Sequence, residues 1–163
     1  TAARDALDLE TPEAVGVQAG RRACARLGAR KLSTRRAPVL FAPEMARGLF
    51  QHFVGAISGP SQYRKASFLL DAAGQRVFPD FVRISERPHI PKGLGSAPFD
   101  AEGAATLDRE LVEQGVLRGY VLGSYSARRL GLKSTGNAGG IHNLLVGADG
   151  AAGAHSREAL LRR

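Results

Sequence analysis

The residues of this 163-residue chain that could do chemistry are few and widely spaced. His52, His89, His142 and His155 form no i, i+4 pair and have no local carboxylate motif beside them, so spacing gathers no metal set. The single cysteine, Cys24, excludes an internal disulfide and any cysteine-based zinc cluster. Asp100 and Glu102 have the residue types of a general acid–base pair, but with no identified partner they read first as turn-forming and capping residues. Gly136-Asn137-Ala138-Gly139-Gly140 is the most distinctive run. No Gly-Lys-Ser/Thr ending follows it, which excludes a phosphate-binding loop. Its glycines suit positive φ and close approach, and the Asn137 amide can hydrogen-bond to extended backbone. His142 stands beside it and is the histidine with the strongest functional case; His52, beside an apolar helix side, reads as structural. Arg64-Lys65 supports two readings equally: a solvated pair with packed stems, or a contact to a peptide carboxylate or a partner subunit.

Positioning such residues requires a mixed scaffold. Thr11, Pro12 and Glu13 are helix-start residues, and Val15, Ala19, Ala23 and Leu27 recur every four positions before Gly28. Cys24 falls on that apolar side and is expected to be buried and inert. Residues 38–42 read as a short buried strand. A second helix begins at Pro43 and is expected to stop at Ser58-Gly59-Pro60. Strands are predicted at 67–70, 75–78, 81–85, 110–113 and 116–125, with Gln114-Gly115 as a tight turn. The stretch Pro88–Gly103 is a long irregular loop. A short helix closed by Gly131 then leads into the glycine loop, which together with the 116–125 strand is expected to shape an interface or a peptide groove. The fold class is α+β: N-terminal helices followed by a largely antiparallel, glycine-rich sheet.

Composition bounds the rest. A 44% hydrophobic, 23% charged chain with 20 glycines is globular and has room for one core. The net charge of +8 invites nucleic acid, yet the arginines are scattered and no aromatic-interleaved basic stripe exists, so direct nucleic-acid binding is disfavoured. No apolar run is long enough for a membrane helix and no secretory signal opens the chain, so a reducing cytoplasm is expected. The chain starts at Thr1 and stops a few residues after Ser156, a good helix cap, so it reads as part of a larger protein.

Five separated runs in order carry a family resemblance: Pro38-Val39-Leu40-Phe41, His52-Phe53-Val54-Gly55-Ala56-Ile57-Ser58-Gly59, Tyr63-Arg64-Lys65-Ala66-Ser67-Phe68-Leu69-Leu70-Asp71, Gly93 through Gly103, and Gly119 through Gly131 with Gly136–Gly140. Together they resemble the start of the C-terminal half of the PmbA/TldD family. The resemblance implies a larger two-domain protein, with residues 1–30 as a lead-in helix and 31–163 as the first part of the C-terminal domain.

Catalytic members of that family carry a HExxxH zinc motif. Its positions fall here on Gln51 (first ligand), His52 (base) and Ala56 (second ligand), which removes both zinc ligands. The resemblance thus implies a metal-free subunit of a cytoplasmic zinc metallopeptidase complex that degrades unfolded or extended peptides. The zinc would belong to a TldD-like partner, and this chain would supply scaffold and substrate enclosure. Arg64, Lys65, Gly136, Asn137, Gly139, Gly140 and His142 are its peptide or interface candidates. The alternative is a regulator linked to DNA gyrase or toxin–antitoxin control, acting by protein interaction instead of proteolysis.

Overall fold

The structure is a computed structural model that describes residues 1–150 and 159–160. Of the expected helix after Ser156 only residues 159–160 are described, and they are helical; the rest lies outside the described residues. The chain divides into two compact units, 1–39 and 40–163.

The first unit holds a 3-10 turn, Ala6–Asp8, and helix α1, Pro12–Cys24. The Thr11 hydroxyl accepts from the Ala14 N–H at 3.2 Å, and Pro12 occupies the first turn, where its missing N–H costs nothing. No residue of α1 is buried among the described residues. Cys24 is exposed, contrary to the expectation of burial, because its own unit packs nothing onto that face.

The second unit begins with α2, Pro43–Ala56, followed by the single turn α3, Gly59–Tyr63. Residues 38–42 form no strand; they have no ladder partner, and Val39, Leu40 and Phe41 are exposed. Ser58-Gly59-Pro60 ends α2 and also starts α3, with the Ser58 hydroxyl capping the Ser61 N–H. Pro60 in a first turn is as compatible with starting a helix as with stopping one. Residues 67–70 are turns, not a strand. The Ser67 hydroxyl donates to the Ala56 carbonyl at 2.7 Å and accepts from the Leu69 N–H, which bends the chain locally.

Four antiparallel strands form one sheet in the order β3-β2-β1-β4. They are β1, Val82–Glu86; β2, Arg109–Glu113; β3, Val116–Leu117; and β4, Leu144–Ala148. Gln114 (φ +49°) and Gly115 (φ +74°) link β2 to β3, the two-residue turn with both φ positive that matches strand twist. The expected strand at 116–125 is regular only over Val116–Leu117; further on, Val121 makes a single bridge to Ser58. Likewise 75–78 contributes one bridge, Arg76 to Val116. Helix α4, Ser124–Leu130, ends at Gly131 in the left-handed region (φ +68°), as its sequence indicates.

Phe53 and Ile57 of α2 and its C-cap pack with Ala72, Ile84, Leu111, Val112, Leu117 and Val121 in one core. Phe53 meets Phe78 edge-on at 5.1 Å between centroids. Fully burying side chains such as Ile57, Ile84 and Leu111 contributes about 1.5–3 kcal/mol each, so this cluster fixes the sheet and the end of α2 together. No described helix is long and apolar enough to cross a membrane.

Candidate functional site

Strand pairing creates the polar centre of the second unit. Glu86 and Arg109 are cross-strand partners at the β1–β2 edge nearest the glycine loop. Ile84, Ser85 and Glu86 are all buried; the β1–β2 register shifts between Ile84 and Ser85, where β2 carries the extra residue Leu111. Glu86 is only 1% exposed, so its charge requires partners. Arg109 Nε donates to its Oε2 at 2.8 Å. Its Oε1 accepts from the Asn137 amide at 2.7 Å, the His142 N–H at 2.9 Å and His142 Nδ1 at 2.9 Å. A carboxylate can only accept, which fixes Nδ1 of His142 as the protonated ring nitrogen.

The remaining donors of Arg109 reach the Tyr120 carbonyl at 2.9 Å and Asn137 Oδ1 at 2.8 Å. Thr135 donates to the same Asn137 oxygen at 2.7 Å. Burial pushes the Glu86 carboxyl up, but the His142 N–H and the Arg109 guanidinium outweigh it and hold it below the ordinary carboxylate range.

A second carboxylate ties the long loop to the glycine loop. Asp100 Oδ2 accepts from the Ala138 N–H at 2.8 Å, and its Oδ1 accepts from Glu102 and Ala104, both at 2.9 Å. Burial raises its pKa, and the three N–H bonds overcome that and lower it. Glu102 accepts from the Ser124 N–H at 2.9 Å, and the Ser124 side chain together with that N–H lowers the Glu102 pKa. Both residues therefore serve as turn and cap groups. Gly136 (φ +68°) is required by close approach as well as conformation, since a Cβ there would lie 2.5 Å from the Ala105 carbonyl oxygen.

Beside this brace lies a groove of about 400 Å³. Its lining includes Tyr63, Glu102, Gly123, Tyr125, Gly139 and Gly140. Tyr63 and Tyr125 meet edge-on at 5.7 Å. Gly139 (φ +93°) and Gly140 (φ +123°) are exposed and line the groove, while the Gly140 carbonyl also accepts from the Asn137 amide. Asn137 also lines the groove, but it is 4% exposed and its amide is spent on Glu86, Arg109, Thr135 and the Gly140 carbonyl. Gly136, Asn137, Gly139, Gly140 and His142 are thus brought together, with the asparagine holding the loop and the two exposed glycines facing solvent.

The other candidates lie elsewhere in the unit. Arg64 donates to the Pro60 carbonyl at 3.1 Å and lies over the Tyr63 ring; Lys65, in the left-handed region (φ +55°), lines a different cavity. Gln51, His52 and Ala56 border a third groove. Ala56 offers no donor atom, and an exposed neutral Gln51 is a poor zinc ligand, so this set does not fit the ion that a HExxxH motif holds. Among the described residues no group of three His, Cys, Asp or Glu is placed to hold a metal.

Sequence reasoning missed Glu86 and Arg109, which lie 23 residues apart and outside any motif. A signal did exist, because Glu86 follows Ile84 by two positions and so shares its inward strand parity.

Comparison with known proteins agrees with this architecture. Residues 34–163 match the family described as PmbA/TldA metallopeptidase C-terminal domain. The metalloprotease PmbA of Escherichia coli O157:H7 is 55% identical over 150 residues, covering 92% of this chain and 33% of that protein. The chain therefore spans about a third of the length of this curated relative. Two crystal structures of candidate modulators of DNA gyrase superpose on 88% of the chain. The one from Thermotoga maritima MSB8 has a TM-score of 0.80 at 34% identity, with 34% of its chain covered. The one from Bacteroides thetaiotaomicron VPI-5482 has a TM-score of 0.81 at 27% identity, with 32% of its chain covered. By this match in sequence and fold, the chain belongs to the PmbA/TldD family of metallopeptidases.

Proposed function

We propose that the chain is part of a metal-free subunit of a cytoplasmic zinc metallopeptidase, paired with a TldD-like partner that carries the zinc. The observation that carries this reading is the donor set at Gln51, His52 and Ala56, which lacks the ligands the catalytic members of the family place there. The complex degrades unfolded or extended peptides, and this subunit encloses them. Its groove supports that role. Tyr63 and Tyr125 supply aromatic walls for side chains, while Gly139 and Gly140 admit a peptide backbone close to their own. The buried network of Glu86, Arg109, Asn137 and His142 holds the loop rigid, which reduces the ordering cost of binding.

Tyr125→Ala in the intact subunit, mixed with the partner, tests the groove without touching the buried network. A rise in KM of about tenfold with little change in thermal stability is expected. Unchanged KM and kcat for extended peptides would remove the groove from the account.

A further inference from the structure

A cavity of about 610 Å³, separate from the glycine-loop groove, lies between α3 and the end of α4. Its lining combines three chemistries. Lys65 and Arg129 place two cations at it, and neither forms an ion pair with a carboxylate among the described residues. Asp71 also borders it and leaves the balance positive. Leu70, Leu130 and Leu132 supply an aliphatic surface. The third element is Gln62, which is 5% exposed. Its Nε2 donates to the carbonyls of Ala56 at 2.7 Å and Leu69 at 3.3 Å, which fixes the amide orientation. Its Oε1 accepts from no group among the described residues, although the side chain borders the cavity.

That oxygen is an unpaired acceptor on a side chain that borders the cavity, and a ligand N–H can take its lone pair. Two cations beside it match a carboxylate, and the leucines match an aliphatic side chain. Carboxylate, N–H and side chain on one short unit are what the last residue of a peptide presents.

We propose that this cavity binds the free carboxyl-terminal residue of a peptide with an aliphatic side chain, Lys65 and Arg129 holding the carboxylate and Gln62 Oε1 accepting the N–H. This deepens the peptide-handling reading but rests on different residues, so the two can fail separately. Arg64, directed to the Pro60 carbonyl and the Tyr63 ring, takes no part.

The test is calorimetric titration of the intact protein with N-acetyl-leucine, its neutral amide, and its N-methylated form. The acid is expected to bind with a Kd of about 1 mM, in keeping with a ligand of this size. Amidation removes the charge and N-methylation removes the N–H, and each is expected to weaken binding by about tenfold. Lys65→Met and Arg129→Met, at exposed positions, are each expected to weaken it about fivefold with Tm retained. Equal binding of acid and amide, no binding of the acid, or unchanged binding in both variants would overturn the proposal. Peptide cleavage by the mixed complex is scored separately: its loss with retained N-acetyl-leucine binding would sink the peptidase reading and leave this site standing.

Discussion

Asn137 reaches 51 positions back along the chain to donate to Glu86 Oε1 at 2.7 Å, and through that bond the glycine loop is fastened to the sheet. The oxygen of the same amide accepts from Arg109 at 2.8 Å, so one side chain bridges both members of a buried ion pair. Asn137→Ala leaves Glu86 and Arg109 each short of a partner and is expected to cost about 1–3 kcal/mol. Asn137→Asp sets a second carboxylate against Glu86 and is expected to cost more. Urea unfolding of the two variants checks the order.

Glu86 carries the larger effect. Glu86→Ala removes the carboxylate that partners Arg109 and His142 and is expected to destabilise by about 3–5 kcal/mol, the range for breaking a buried charge pair from one side. A loss under about 1 kcal/mol by denaturant titration would mean that Arg109 is adequately solvated without it.

The lowered carboxyls set a pH dependence with a definite sign. Glu86 and Asp100 titrate below their ordinary values in the folded chain. The stability they supply is therefore complete above their unfolded pKa values of about 4 and is lost as pH falls through the folded values. Asp100→Asn is expected to be less stable than the parent at neutral pH and to lose less on acidification. Thermal unfolding between about pH 6 and pH 3 reads both slopes, and parallel curves would exclude Asp100 as a contributor.

Two glycines test how tightly the helices are set. A Cβ on Gly59 would lie 2.3 Å from the Ser126 hydroxyl and 3.1 Å from Leu122, so Gly59→Ala forces α3 away from α4. A cost of about 1–3 kcal/mol is expected. At Gly48 within α2 a Cβ would meet nothing within 4 Å, and Gly48→Ala is expected to stabilise by about 0.5–1 kcal/mol. Opposite signs in one thermal series are the expected result; equal signs would contradict the packing described.

How far the sequence foretold these features follows from how local each signal is. Thr11-Pro12, Gln114-Gly115 and Gly131 were legible because caps and tight turns are decided within a few residues. Strand β4 was not, because Leu144–Ala148 shows no alternation and gains its identity only by pairing with β1. Residues 67–70 erred the other way: an apolar run reads as a strand, yet the Ser67 hydroxyl bonds to Ala56, and Phe68 stays exposed. At the site, the glycine loop was visible as composition. Its brace was not, since Glu86 and Arg109 meet only through strand register.

The central claim is that this chain belongs to a subunit whose chemistry depends on a metal held by another. The most direct measurement is metal content together with peptide cleavage, on the intact protein alone and mixed with its TldD-like partner. No bound zinc and no cleavage alone, with cleavage on mixing, is the predicted result. Stoichiometric zinc with cleavage by the protein alone would contradict the account.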